Sequence, residues 1–117
     1  MPEHSYREIR LKNNTKEKRK LIIEFQEEGY ELLEEFLETE INTFRKAVLN
    51  EITAVLNGEK EDRKFAGNRF SLAIMPGVTI IYDDKDEDFQ WCQVDTEELY
   101  ELINEWHERW QEMKSHE

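Results

Sequence analysis

The side chains whose spacing best suits a specific chemistry are the alternating aspartates of the segment 83–95. Asp84, Asp86 and Asp88 occupy alternate positions, and Asp95 follows in the same segment. Alternating carboxylates can converge on one hard cation, and these four match the first, third, fifth and twelfth positions of a calcium-binding loop. The sixth position, however, is Phe89, where the sharp turn of such a loop requires glycine. We therefore predict no metal and no cofactor, and retain a metal- or small-molecule-binding protein built on this segment as an alternative.

Groups suited to catalysis are few. Helical spacing places His107 near Tyr100, a pair able to do acid–base work, but the sequence places no nucleophile or second catalytic group beside them. Cys92 is the single cysteine and lies in a partly apolar run, which predicts a buried and inert thiol. The four glycines form no phosphate-binding loop. These observations favour a protein that is not an enzyme and has no catalytic residues.

Charge limits the choice of partner more than any motif does. The net charge is −12, but residues 1–20 hold seven basic and three acidic side chains, a balance of +4, so the remainder of the chain carries −16. A surface this negative repels phosphate backbones, which argues against nucleic-acid binding, and it attracts basic proteins. The alternative is that the acidic residues serve solubility alone.

Two acidic segments are the candidates for binding a basic partner. The segment Glu24–Glu40 contains eight glutamates and no lysine or arginine, and the segment 83–88 contains five acidic residues. Such fields steer basic proteins into encounter, and Trp91 and Phe89 nearby could supply apolar anchors, unless both simply belong to the core. The candidate partner-binding residues are Glu27, Glu28, Glu31, Glu34, Glu35, Asp83, Asp84, Asp86, Glu87, Asp88 and Trp91.

Alternation of apolar and polar residues predicts a hairpin at the start of the chain and a long helix after it. The hairpin pairs Tyr6–Lys12 with Leu21–Phe25, which leaves the basic cluster of residues 16–20 near its turn. The helix covers residues 29–57, with a bend near Thr39 and a stop at Gly58.

The second half of the chain predicts a β-meander over residues 65–94 and a C-terminal helix over residues 96–114. Residues 59–64 form a polar connection, and Pro76-Gly77 suits a type II turn between two strands. Asp95 is placed to cap the helix in a capping-box arrangement. The order ββαβββα predicts one α+β domain over residues 1–117, with two main helices and one antiparallel sheet of about five strands.

The chain length and the distribution of apolar residues predict a cytoplasmic domain without membrane contact. A chain of 117 residues is the size of one domain, and no apolar run is long enough to span a bilayer. The N-terminal residues lack an apolar signal region, and a single cysteine excludes an internal disulfide framework.

Three segments carry a resemblance to known proteins. They are Glu40-Ile41-Asn42-Thr43-Phe44, residues 65–72 (FAGNRFSL), and residues 94–99 (VDTEEL) continued by Ile103 and Trp106. Over residues 38–110 this pattern resembles small uncharacterised bacterial proteins of the YacL-like kind and, more loosely, the small acidic immunity proteins that neutralise bacterial toxins. The resemblance transfers no catalytic residue. We therefore favour a non-enzymatic protein-interaction module, in its sharpest form an immunity-type inhibitor of a basic toxin or nuclease.

A third hypothesis is a homo-oligomeric housekeeping protein. On the predicted helix, Leu32 and Phe36 lie opposite Leu33 and Leu37. A helix with two apolar sides can bury one side in its own core and offer the other to a second copy. This pattern would place a homodimer surface on the first half of the helix.

Overall fold

Six β-strands and three α-helices lie in residues 2–13, 16–88 and 90–116, which are the residues that the computed structural model describes. In chain order they are β1 (His4–Asn13), β2 (Lys16–Phe25), α1 (Glu31–Phe36), α2 (Asn42–Leu56), β3 (Arg63–Ala66), β4 (Phe70–Ile74), β5 (Thr79–Asp83), β6 (Trp91–Val94) and α3 (Thr96–Ser115). A π-helical segment, Leu37–Ile41, joins α1 to α2. The predicted α+β class is confirmed, while the hairpin turn at residues 14 and 15 and every prediction made for Phe89 lie outside the described residues.

The strands form two separate antiparallel sheets, so the prediction of a single sheet is wrong. β1 pairs with β2 in a two-stranded ribbon, which we call the arm (residues 4–25), and the other four strands form a sheet in the order β3-β4-β5-β6. The helix α1 contacts β2 of the arm and also β5 and β6 of the four-stranded sheet. The helix α1, which is apolar on both sides, therefore lies between the two sheets.

Both apolar sides of the first helix are inside the protein. Leu33 and Phe36 are fully buried, and Phe36 packs edge-on against Phe70 of β4 with ring centroids 6.0 Å apart. Leu32 is partly buried against the same core. Phe36 is therefore not available to the dimer surface that the sequence predicts. The predicted bend near Thr39 corresponds to the π-helical segment.

Strand β3 occupies a segment that includes part of the predicted polar connection at residues 59–64. Its register on β4 turns Arg63 and Phe65 toward the helices. Arg63 Nη2 donates to Glu51 of α2 at 2.8 Å, and the ring of Phe65 packs against Phe44 at 5.5 Å. Because only two residues of this edge strand face inward, its alternation is too short to distinguish it from a loop.

The arm is longer than predicted and projects its basic residues along a regular ribbon. The register runs from His4 opposite Phe25 to Asn13 opposite Lys16, so the basic cluster of residues 16–20 belongs to a strand and not to a loop. Leu11, near the far end, is 51% exposed. A ten-residue strand is about 33 Å long, so the end of the arm extends beyond the residues that anchor its base.

The base of the arm is attached to the helices by carboxylates and aromatic rings. Glu38 accepts a hydrogen bond from the N–H of Ile23 at 3.1 Å, and Glu34 accepts one from the N–H of Phe25 at 2.7 Å. His4 Nε2 lies 2.7 Å from the carboxylate of Glu105 on α3. The two glutamates on α1 and the π-helical segment thus satisfy the N–H groups on the outer edge of β2 at its last residues.

Helix ends follow the predicted signals, but one turn does not. Gly58 adopts a φ of 77° immediately after α2, and Asp95 accepts the N–H of Glu98 at 2.9 Å to cap α3. Among the described glycines, positive φ occurs at Gly29 and Gly58 only, so the type II turn predicted at Pro76-Gly77 is wrong. None of the described helices is both long enough and apolar enough to cross a membrane.

Candidate partner-binding surface

Arg69, immediately before β4, joins the two acidic segments. Its guanidinium donates to Asp83 through Nε at 3.2 Å and Nη2 at 2.7 Å, and Nη2 also lies 2.9 Å from Glu35 of α1. The hydrogen bond with Asp83 raises the pKa of Arg69, and Glu35, Asp83 and Asp86 all add to it electrostatically. The structure therefore brings acidic residues from α1 and from the segment after β5 around one cation.

Asp83 is part of this internal clamp and does not face a partner. Its side chain is buried, and its carboxylate accepts from Arg69 and from the N–H of Lys85 at 3.1 Å. The hydrogen bond from Arg69 holds the pKa of Asp83 below its usual range. Asp83 was predicted as a partner-binding residue, but its contacts indicate that it positions the loop that follows it.

The turn that carries Arg69 is held by Glu40, a role that the sequence alone does not reveal. Glu40 is buried in the π-helical segment, and its carboxylate accepts the backbone N–H groups of Asn68, Arg69 (2.7 Å) and Phe70 (3.0 Å). A β-carbon on Gly67 would lie 2.8 Å from the same carboxylate, so a larger residue there would displace Glu40 from the turn. The available signal was an acid within an apolar helical run together with the sequence Gly-Asn after a strand.

The loop after β5 exposes its acidic side chains without forming a cation site. Asp84 accepts from the hydroxyl of Ser71, and Asp86 accepts the N–H of Asp88 at 2.8 Å. Glu87 and Asp88 are exposed. Within residues 2–13, 16–88 and 90–116, no three acidic, histidine or cysteine side chains are grouped so that they could hold a metal ion. The calcium hypothesis therefore has no geometric counterpart in the described structure.

The other acidic segment begins beside the same sheet. Glu27 and Glu28 are exposed in the connection before α1, and Glu31 accepts the N–H of Gly29 at 3.0 Å.

Burial, with a contribution from the charge of Glu31, raises the pKa of Cys92 in β6 to about 11. Glu31 thus lies near β6, and Cys92 is the buried thiol that the sequence predicted.

We call the exposed or half-exposed acidic residues of these segments the acidic zone. Its members lie in the connection before α1, in α1 itself and in the loop after β5, and they are Glu27, Glu28, Glu31, Glu35, Asp84, Asp86, Glu87 and Asp88. Glu34 is left out because it is bonded to the arm, and Asp83 because it is buried. Lys85 is the single lysine or arginine within the segment 84–88.

Trp91 lies on the outer face of the four-stranded sheet, turned away from the helices. It is 56% exposed, and its cross-strand partner Tyr82 is 38% exposed. The alternating residues Cys92 and Ile81 are buried on the opposite face. The alternative in which Trp91 is a core residue is thus wrong. The sequence contained Tyr82 in a predicted strand but gave no sign that it shares a face with Trp91.

Small residues beside Tyr82 leave a groove on this outer face. The groove has a volume of about 470 Å³ and a mainly apolar lining. Ser71 and Ala73 of β4 form its floor, between Tyr82 of β5 and Lys64 and Ala66 of β3. Asp84 of the acidic zone binds Ser71 at one end of the groove.

His107 does not form the predicted pair with Tyr100 among the ring contacts of the described residues. It stacks on Trp110 with ring centroids 6.2 Å apart and an interplanar angle of 19°. Burial and the nearby charge of Arg45 lower the pKa of His107. His107 is therefore a partly buried residue that packs at the edge of the buried face of α3.

Comparison with known proteins places this chain in a family. It is 34% identical over 97 residues to a protein of Bacillus cereus named "Immunity protein", an alignment that covers 81% of this chain and 82% of the relative. No family model matches the chain, and no solved structure gives a significant match. An identity at this level over most of both chains shows common descent, and the chain belongs to the family of this immunity protein. The part of the predicted resemblance that concerns immunity proteins is confirmed.

Proposed function

We propose that this protein is an immunity protein that neutralises a bacterial toxin in the cytoplasm by binding it, without catalysis. The observation that carries the proposal is the kinship with the Bacillus cereus immunity protein over most of both chains. Binding alone can neutralise a toxin if the bound protein covers the surface that the toxin needs. No assembled catalytic set is required for such a role.

The toxin surface recognised in this proposal is basic, as on a nuclease that binds phosphate backbones. The charge of −16 over residues 21–117 supports this, and so does the exposure of Glu27, Glu28, Glu87 and Asp88. Acidic residues held on a rigid frame accelerate encounter with a basic protein and favour it over acidic competitors. Trp91 beside the zone supplies the exposed aromatic side chain that such interfaces use as an anchor.

A pull-down followed by a growth test examines the proposal directly. The immobilised protein is exposed to native bacterial lysate, washed at low and at high salt, and the retained proteins are identified. We expect a basic protein that is retained at low salt and released at high salt, because salt screens exposed charges. That protein should stop growth when expressed alone and should lose this effect when co-expressed with the present chain.

Two results would count against the proposal in different ways. Retention of no basic protein at low salt would contradict the electrostatic mode of binding. A retained protein whose growth inhibition persists during co-expression would contradict the neutralising role. Reversal of charge at Lys16 and Lys18, at the far end of the arm, provides a matched control that should leave retention intact.

A further inference from the structure

We infer that the groove on the outer face of the four-stranded sheet receives a large apolar side chain of the toxin that lies between basic residues. The inference rests on the proposed function and specifies the chemistry of the partner. Its basis is the position of an apolar groove directly beside an acidic rim. The occupant is therefore a cationic protein segment with one aromatic or large aliphatic side chain at its centre.

The shape of the groove follows from the residues of the central strands. Ser71 and Ala73 have small side chains, whereas Tyr82 on the neighbouring strand stands higher. Ile80 and Trp91 extend the apolar surface on the side away from β3. A sheet face with small residues in the middle and rings beside them accepts an inserted side chain, since a ring contributes both apolar area and favourable edge contacts.

Charge determines which apolar segment fits. Asp84 lies at one end of the groove because it binds Ser71, and the exposed Glu87 and Asp88 follow in the same loop. An acidic segment would be repelled by the carboxylate of Asp84 and a neutral one would gain nothing from it, whereas a lysine or arginine next to the inserted residue would be attracted to it. Lys64 of β3, which pairs with Ala73, lines the groove on the side away from Asp84.

The position of the groove also suits a neutralising contact. The helices α1 and α2 pack on the inner side of the sheet, and the outward side chains of β4, β5 and β6 are exposed or half-buried. A partner can therefore reach the groove without any rearrangement of the core. Apolar anchors that fill a desolvated pocket at the centre of an interface are the side chains that supply most of the binding energy.

Two synthetic pentapeptides test the inference without the toxin itself. One has a phenylalanine between two pairs of lysines, and the other has an alanine in the same place. Chemical-shift changes of the labelled protein are followed during titration with each peptide. We expect the phenylalanine peptide to shift the amides of Ala73, Ile80 and Tyr82 and to bind about tenfold more tightly than the alanine peptide, a difference of about 1.4 kcal/mol.

Ala73→Leu fills the floor of the groove and should remove most of the advantage of the phenylalanine peptide. Gln93→Leu is the matched control, because Gln93 is exposed on the same sheet and does not line the groove. Thermal unfolding of both variants checks that the sheet is intact. Equal binding of the two peptides, or an advantage that survives Ala73→Leu, would overturn the inference.

The same variants separate this inference from the proposed function. If Ala73→Leu retains the basic protein in the pull-down as well as the parent does, the groove is not an anchor site, while neutralisation of a toxin still stands. If the phenylalanine peptide behaves as expected but no retained protein is neutralised in the growth test, the proposed function fails and the groove remains a binding site for basic apolar segments.

Discussion

The arm and the acidic zone differ in charge and in how the fold uses that charge. In the arm, acidic residues are paired with neighbouring arginines, as in Arg7–Glu24 at 2.8 Å and Arg10–Glu17 at 3.5 Å. Within the described residues, Lys12, Lys16 and Lys18 form no ion pair, so the far end of the arm is basic. In the acidic zone the unpaired charge is negative. Arg69 does not neutralise the exposed carboxylates of the loop, because it is already paired with Asp83 and Glu35.

This comparison shows that the net charge of the chain describes neither surface. A total of −12 is the sum of a basic ribbon and a strongly acidic body. The sign of the charge at a surface is set by which residues remain unpaired there, and steering acts through that local field. Each surface is attached to the helices by glutamates, and the attachments differ in strength.

The largest expected effect comes from Glu40, which holds the turn beside the acidic zone. Glu40→Ala leaves the N–H groups of Asn68, Arg69 and Phe70 without their carboxylate. Hydrogen bonds to a buried charged group are among the strongest in a fold, so we expect a loss of at least about 3 kcal/mol in the free energy of unfolding. Chemical denaturation measures this quantity.

The matched control is Glu38→Ala on the same helix, at the attachment of the arm. Glu38 is partly exposed and accepts one N–H, that of Ile23. We expect a loss of about 1 kcal/mol, the usual net value of a single hydrogen bond. Equal losses for the two variants would show that the turn is not held by Glu40 as the contacts indicate.

The sequence predicted the elements of the fold better than their grouping. Alternation identified most strands, and the acid at position 95 marked the start of α3. The two apolar sides of residues 30–37 were also visible, but a second copy and a second sheet satisfy the same pattern. Only the three-dimensional structure distinguishes them, through the burial of Phe36 against Phe70.

The sequence predicted which residues belong to the candidate site but not which of them contact one another. Acidic residues and Trp91 could be named because they are clustered in the sequence. Arg69 could not, since its partners Glu35 and Asp83 are distant from it along the chain. The position of Tyr82 beside the groove depends on which strands are neighbours and on the register in which β4 pairs with β5. Neither can be deduced from the sequence of one strand.

The second prediction reverses the charge of each surface in turn. Replacing Asp86 and Asp88 by lysine should weaken binding of the basic partner retained in the pull-down by about a hundredfold at low salt, because both attraction and steering are lost. Replacing Lys16 and Lys18 by glutamate changes the total charge by the same amount in the opposite sense. Since these residues lie at the far end of the arm, we expect less than about a threefold change at physiological salt, where the screening length is about 8 Å.

Calorimetry at two salt concentrations measures both affinities. A similar loss for the two double variants would mean that the arm contacts the partner as well. An unchanged affinity of the variant with lysine at positions 86 and 88 would show that the acidic zone is not part of the interface, irrespective of the result for the arm variant.

The third prediction concerns acid and the clamp beside the acidic zone. Arg69 holds the folded-state pKa of Asp83 below the unfolded value of about 3.9. The ion pair therefore contributes its full stability above that value, and the contribution is lost as the pH falls through the folded pKa. Asp83→Asn should be less stable than the parent at neutral pH, and the difference should shrink as the pH is lowered through the acidic range. Unfolding midpoints that differ by a constant amount at all pH values would contradict this assignment.

The smallest expected effect lies at the base of the arm and has the opposite pH dependence. Burial, together with the nearby carboxylate of Glu105, raises the pKa of Tyr6, whose ring lies 6.1 Å from Trp106 and 5.0 Å from the guanidinium of Arg109. Because the folded pKa exceeds the unfolded value of about 10, the contribution is complete below that value and is lost as the pH rises above it. Tyr6→Phe removes the ionisable group, so its unfolding midpoint should fall less steeply than that of the parent across the alkaline range. Parallel alkaline curves for the two proteins would exclude Tyr6 as the titrating group, whereas a difference confined to alkaline pH would assign that part of the stability to the contact between the arm and α3.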